Sequence, residues 1–401
     1  MSTLWTREGA PDPWLEGFLA GDDHVLDQQL VGYDCRASLA HARMLHGIGV
    51  LEAAELRSLE AGLAEAAGQA ARGDFPITPA DEDGHTALEN FLTRRCGDAG
   101  RKIHTGRSRN DQVLTALRLW EKDRLDALLA AVEAHVGCLA DVVARQGDVS
   151  LPGYTHMQAA MPTTVAVWLG SFAAAAADDG ALLAHVRTLV DRSPLGTAAG
   201  FGVPVLGIDR ERTAAELGFA HVQENPLHAQ LSRGRTEALL LTACAQVMDG
   251  LNRLATDLLL FSTREFGIVR LPDAACTGSS IMPQKRNADV LELVRARYHV
   301  VVGEETKVKG LTTSLMSGYN RDVQLTKGPL FHGVAVTLDS LRAMGIVLAG
   351  LEIDADRCAA ALTDELYATE RALTLVRDGM PFRDAYREVA AAEAARRRGR
   401  A

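Results

Sequence analysis

The sequence predicts an all-α protein: a bundle of long helices with smaller helical domains at its N- and C-terminal ends. Three observations predict this. Apolar residues keep a three- and four-residue period over five stretches, 110–145, 163–192, 235–266, 289–306 and 327–351, each well beyond the average helix length. Few segments alternate with period two, so sheet content is expected to be minor. The connections between the long runs are irregular and polar, as in a bundle.

In chain order, residues 1–105 are expected to form an N-terminal unit of short helices. Ser38 to Leu51 places Leu39, Ala42, Met44 and Leu45 near helical spacing, and Ala53 to Ala71 places Leu56, Leu59, Leu63 and Ala66 at three- and four-residue steps. Gly73 to Gly84 is a loop by its Pro, Gly and Asp content, followed by a short helix from His85 to Arg95. Residues 106–355 hold the five long runs, whose apolar surfaces are too broad for one chain to cover, so oligomerisation is expected. Residues 356–401 form a small terminal unit, with a helix over Ala359–Arg377, a Gly379-Met-Pro381 turn, a helix from Phe382 and a solvated basic tail.

The 401 residues exceed what a single core of ordinary size requires, and hydrophobic residues at 47% supply enough apolar surface for a large one. A net charge of −10 argues against a nucleic-acid partner, so an anionic substrate must be met by a local cluster of cations. The six cysteines are scattered, with neither zinc spacing nor a disulfide framework. Met1 to Trp14 lacks the basic and apolar regions of a signal peptide. Met157 to Ala177, the longest run without an acid, base or histidine, has the length of a membrane span. Its Gln158, Pro162, Thr163, Thr164 and Ser171 fit a helix buried on all sides in a bundle better. A cytoplasmic protein with no membrane partner is expected.

The unusual residues lie in four loops. His104–Gln112 offers two arginines, short polar groups and a glycine ahead of a helix. Leu151–Gln158 places Thr155 and His156 just before another helix. Thr277–Glu292 is the least helix-like stretch: Gly278 and Pro283 shape it, Ser279 and Ser280 lie between them, and Lys285 and Arg286 follow. Asn287 is expected to cap a helix starting at Ala288, with Asp289 in its first turn. Ser317–Lys327 contributes Tyr319, Arg321, Gln324 and Lys327. Alone, each loop arginine is expected to be solvated, and His156 is as readily structural as chemical. Together, at the ends of one bundle, these groups make an anion pocket suited to carboxylates.

Phosphate-binding, hydrolase-elbow and His-Glu-x-x-His motifs are absent. The remaining set of Ser, His, Lys, Arg and Asn suits proton abstraction beside a carboxylate: a base removes the Cβ proton, cations and amides hold the dianionic aci-carboxylate, and an acid protonates the leaving nitrogen.

Gly278-Ser-Ser-Ile-Met-Pro-Gln-Lys-Arg-Asn287 resembles the signature of the fumarase/aspartase superfamily. His104-Thr-Gly-Arg-Ser-Arg-Asn-Asp-Gln112, Gly153-Tyr-Thr-His-Met-Gln158 and Tyr319-Asn-Arg-Asp-Val-Gln-Leu-Thr-Lys327 resemble its argininosuccinate lyase branch. Tyr33-Asp34, Glu82-Asp83-Gly84-His85-Thr86 and Ser193-Pro-Leu-Gly196 extend the likeness over most of the chain, from about Leu4 to Arg387. The resemblance implies a fumarase/aspartase-type all-α fold and a homotetramer whose active sites each take loops from three subunits. It implies cleavage of argininosuccinate to arginine and fumarate without metal or cofactor. By motif, Ser279 would be the base and His156 the acid or its orienting partner. Lys285 and Asn287 would hold the aci-carboxylate, and Glu292 would support His156. Ser108, Arg109, Asn110 and Thr155 would bind the succinyl part, and Asp83, Arg233, Tyr319, Gln324 and Lys327 would line the rest.

The chain departs from that pattern in several places. Asp23 stands where the family commonly has a substrate-contacting serine; an acid there would repel a carboxylate and favour a cation. Ser232-Arg-Gly-Arg-Thr-Glu237 keeps only Arg233 of the usual segment. Thr197–Gly207 is Ala/Gly-rich, Ala288 replaces a common proline, and the C-terminal unit is short. Two alternatives stay open on the sequence: a lyase releasing fumarate from another N-succinyl compound, and a non-catalytic structural oligomer.

Overall fold

The computed structural model describes residues 12–400; the resemblance at Leu4 and most of the Met1–Trp14 reading lie outside them. Sixteen α-helices and five short 3-10 turns account for about 70% of the described residues, among which eight short strands form four two-stranded pairs. The fold is the all-α, long-helix type that the periodicity predicts. The long helices are Arg109–Gln146, Val165–Val190, Arg235–Phe261, Asp289–Thr312 and Lys327–Ala349. The chain divides into two compact units, and every long helix supplies a segment to each.

The first unit comprises the chain to Leu129, Ala181–Ala245 and Val300–Val336. In its N-terminal part, the Ala53–Ala71 helix opens with a capping box in which the Glu55 carboxylate accepts the Glu52 N–H at 2.9 Å. Its Leu59 and Leu63 pack with Met44 and Leu45 of the Val31–Gly47 helix and with Leu88 and Leu92 of the Gly84–Cys96 helix. Each leucine buried this way contributes roughly 1.5–3 kcal/mol. Asp98–Lys102 is helical, and a Cβ at Gly100 would lie 2.3 Å from the Leu92 carbonyl oxygen. Glycine permits that close approach. Farther along, Trp120 packs on Phe331 with ring centroids 4.5 Å apart. Arg118 lies fully buried, 2.5 Å from Glu121 and 3.9 Å from Glu237.

The second unit comprises Ala130–Gly180, Gln246–His299 and the chain from Thr337. Here the 163–192 reading needs correction. Residues Ser150–Thr155 and Gln158–Thr164 form an antiparallel hairpin, and the helix begins only at Val165. Thr163, Thr164 and Pro162 suit a short exposed strand better than a helix interior. The Val165–Val190 helix is also not buried on all sides within the chain; Val167 is 65% exposed. Arg109–Gln146, Val165–Val190 and Arg321–Ala349 are long and apolar enough to cross a membrane by length and composition.

Other boundaries shift for local reasons. The 235–266 run ends at Phe261; Phe266 packs back on Phe261, and beyond Gly267 at φ +63° the Ile268 N–H donates to the Phe261 carbonyl at 3.0 Å. The run from Asp289 continues to Thr312. Ala359–Arg377 breaks at Leu362, where a short turn separates Ala355–Ala361 from Ala368–Arg377. Arg396 is not in a free tail; it lies in the Phe382–Arg400 helix and pairs with Asp364 and Glu393.

Candidate active site

The polar residues of the first unit form a continuous mesh. Ser108 ends the His104–Gln112 loop and caps the long helix that begins at Arg109. Its carbonyl accepts the Gln112 N–H at 3.1 Å, and its Oγ accepts the Asn110 N–H at 3.3 Å. In return, Asp111 accepts the Ser108 N–H at 2.9 Å. The other Asp111 oxygen takes the N–H groups of Gly196 and Ala198, both at 2.9 Å, and so holds the Ala/Gly-rich loop against this helix start.

Arg109 emerges from that first turn between two acids. Its Nε lies 2.6 Å from Asp83, and its terminal nitrogens reach Glu82 at 3.2 and 3.3 Å. Asp83 also caps the Gly84–Cys96 helix by accepting the Thr86 N–H at 2.8 Å. Arg321 pairs with the same Glu82 oxygen, and its Nε donates to Gln324 at 3.0 Å. Gln324 in turn donates to the carbonyls of Leu19 and Ala20. Burial alone would raise the Glu82 carboxyl, but Arg109 and Arg321 outweigh it and hold it below its ordinary value.

Lys327 anchors the other end of the mesh. Its ammonium sits 2.8 Å from Asp23 and 2.5 Å from Asp27, with all three side chains buried. The two carboxyls respond in opposite directions. Burial keeps Asp23 above its ordinary value despite Lys327, whereas Lys327, His85 and the Gly84 N–H overcome burial and lower Asp27. Asp23 does attract a cation, as its charge predicts, and the chain supplies one. Arg233 is buried with its guanidinium 5.4 Å from the centre of the Tyr319 ring.

In the second unit, Thr155 and His156 do not precede a helix. Thr155 ends the first strand of the hairpin, and His156 and Met157 form its two-residue turn, at φ +52° and +59°. Both turn residues at positive φ is the hairpin geometry that matches strand twist, and it is costly for side chains other than Gly, Asn or Asp. The turn presents His156 to solvent. Tyr154 secures the hairpin against Phe266 and Phe261 at 5.7 and 6.0 Å.

The serine loop is closed by a short antiparallel pair, Thr277–Gly278 with Arg286–Asn287. Asn287 is not the helix cap. The helix starts at Asp289, and the Asn287 amide donates to the Gly278 carbonyl at 3.3 Å, pinning the loop shut. Thr277 bonds Asp289, and Arg286 pairs with Asp273. At the tip, Ser279 Oγ accepts the backbone N–H groups of Met282 at 3.1 Å and Ile281 at 3.4 Å. Donors aimed at a hydroxyl oxygen favour its ionised form. Lys285 and Glu292 are exposed.

The structure therefore gathers Asp83, Arg109, Gln324 and Lys327 into one network, with Ser108 and Asn110 beside Arg109 and Arg233 against Tyr319. No hydrogen bond or ion pair joins Ser279, His156 and Glu292 among the described residues. Sequence reasoning missed Glu82, Asp27 and His85. The Glu82–Thr86 segment belongs to the family resemblance, but nothing local in it signals that Glu82 binds two arginines.

Residues 19–303 match the Lyase family. An argininosuccinate lyase of Sorangium cellulosum (strain So ce56) is 49% identical, covering 98% of this chain and 91% of that protein. An argininosuccinate lyase of Thermotoga neapolitana is 46% identical, covering 96% and 97%. Among solved structures, EDDS lyase in complex with formate superposes with a TM-score of 0.82 at 25% identity, covering 98% of this chain and 78% of that one. A class II fumarase from Schistosoma mansoni, at 16% identity and a TM-score of 0.77 over 90% of this chain and 87% of that one, shares the fold.

Proposed function

The chain belongs to the argininosuccinate lyase family, and from that premise we propose that it cleaves argininosuccinate to arginine and fumarate by β-elimination. The near full-length likeness to its relatives carries this reading. Ser279 takes the proton from the succinyl Cβ, the electron pair forms the double bond of fumarate, and the C–N bond breaks. The two backbone N–H groups on Ser279 Oγ support its role as base. Lys285 and Asn287 stabilise the aci-carboxylate, and His156, oriented by Glu292, returns a proton to the leaving nitrogen. Ser108, Arg109, Asn110 and Thr155 hold the succinyl carboxylates. Asp83, Arg233, Tyr319, Gln324 and Lys327 line the remainder.

The working unit is a homotetramer with shared sites. Two observations support it: Ser279, His156 and Glu292 are not joined within one chain, and apolar side chains such as Val167, Leu293 and Met157 stand exposed on its helices and hairpin. The compartment is the cytoplasm, supported by six free cysteines.

The test is to incubate purified protein with argininosuccinate and follow the ultraviolet absorbance of fumarate; no rise rejects the assignment. A second reading, motivated by the departures at Asp23 and Ser232–Glu237, is release of fumarate from another N-succinyl compound that carries a cation. A panel of succinyl amines decides it by the ratio of kcat/KM values. Full activity in a protein that light scattering finds monomeric rejects the shared site.

A further inference from the structure

The elimination assigns no part to Asp111, yet its side chain is fully buried beside Asn110 and accepts three backbone N–H groups. One oxygen takes the Ser108 N–H at 2.9 Å and closes the capping box of the long helix. A capping box needs only that oxygen. The second reaches 85 and 87 residues along the chain, to the N–H groups of Gly196 and Ala198, both at 2.9 Å. Gly196 and Ala198 stand at φ +85° and +50°. Such a backbone costs a non-glycine residue free energy and persists where its surroundings hold it. At Ala198 the bond to Asp111 is part of that hold.

The same segment meets the His104–Gln112 loop a second time. Gly106, at φ +74°, lies so close that a Cβ there would be 2.8 Å from Ile208 Cδ1 and 3.5 Å from Leu206 Cδ1. Residues 196–208 therefore back the loop at two points, through Asp111 and through Gly106.

What Asp111 holds in place is the unspent part of the mesh. Arg109 is already paired with Glu82 and Asp83, and Lys327 with Asp23 and Asp27. Ser108 and Asn110, on either side of Arg109, are half-buried and keep their side-chain donors. The Ser108 hydroxyl accepts the Asn110 N–H and donates no hydrogen bond among the described residues, and none engages the Asn110 side-chain amide. Asn110 is fixed from both sides, by its own N–H on Ser108 and by its covalent neighbour Asp111.

We infer that Asp111 is a positioning residue: by clamping the Ser108 N–H to the 196–198 turn, it aims the Ser108 hydroxyl and the Asn110 amide at a carboxylate of the substrate. This rests on the proposed reading, in which Ser108 and Asn110 bind the succinyl part.

Asp111→Asn keeps the size and one acceptor, but sets an amide nitrogen against N–H groups on the other side, so one clamp is lost. It is expected to raise KM for argininosuccinate about tenfold or more and to change kcat less than about threefold, because Ser279 keeps its chemistry. A double-mutant cycle separates aiming from mere stabilisation of the helix. In a Ser108→Ala/Asn110→Ala background the groups that Asp111 aims are gone, so adding Asp111→Asn is expected to lower kcat/KM less than about threefold. If the asparagine variant does not fold, as circular dichroism shows, Asp111→Glu takes its place in the cycle; it keeps the charge and lengthens the arm by a methylene. If the wild type releases no fumarate from argininosuccinate, the functional reading fails, and the same cycle read as calorimetric affinity for fumarate carries the test. An unchanged KM and fumarate affinity, a loss confined to kcat, or an equal loss in both backgrounds overturns the inference. A wild type that neither turns over argininosuccinate nor binds fumarate overturns it together with the functional reading.

Discussion

Lys327 and Asp23, near opposite ends of the sequence, meet as a buried ion pair at 2.8 Å. Asp27 takes the same ammonium from another side, so one cation serves two carboxylates. That end of the mesh therefore favours a cationic group on the substrate, and Lys327 is not left free to bind an anion. Replacing Asp23 by serine removes one negative charge. The expected outcome is about a tenfold loss of preference for argininosuccinate over N-succinyl compounds that carry no cation, read as a ratio of kcat/KM values. An unchanged ratio would show that Asp23 plays no part in selectivity.

Ser279 is held at the tip of a loop closed by the 277–278 and 286–287 strands, and its hydroxyl donates no hydrogen bond on which that closure depends. Ser279→Ala should lower kcat by roughly 10²–10⁴-fold while sedimentation shows the same assembly as the wild type. Turnover near the wild-type rate would assign the base to another group.

His156 occupies a turn position at φ +52°, a conformation that asparagine adopts with little cost. His156→Asn is therefore expected to keep the hairpin and remove only the imidazole. The prediction is a fall in kcat of roughly 10²–10⁴-fold with an unchanged circular dichroism spectrum and melting temperature. A variant that loses structure along with activity would make His156 a turn residue first.

Glu121 shares Arg118 with Glu237, all three fully buried, and Arg118 also donates to the Ser232 carbonyl. Burial, with Glu237 adding, pushes the Glu121 carboxyl up to about 7 against the pull of Arg118. A carboxyl whose pKa is raised on folding holds more protons in the native than in the unfolded state between its unfolded value, roughly 4.3, and that raised value. Its contribution to stability therefore falls as pH rises across that window. Glu121→Gln should raise the melting temperature at pH 8 more than at pH 5. An equal shift at both would show that Glu121 is ionised throughout.

The long helices were legible because a helix buries a stripe whose period is local, as in Val113, Leu117 and Trp120 or Leu56, Leu59 and Leu63. The serine loop was legible for the same reason in reverse, since Gly278 and Pro283 interrupt any period. Reading failed where local signals were mixed. Residues 157–177 carry no charge to mark one face, so the strand ending at Thr164 passed as helix, and only the pairing of Leu151 with Thr163 and Pro152 with Pro162 shows otherwise.

By itself, the sequence determined that the chain is an all-α lyase, because periodicity and motif are properties of neighbours along the chain. Tertiary structure alone decided the electrostatics: that Glu82 binds Arg109 and Arg321, that Lys327 is claimed by Asp23 and Asp27, and that His85 pairs with Asp34. A charge acts over a few ångströms of space, and which charges come that close depends on how segments hundreds of residues apart pack together.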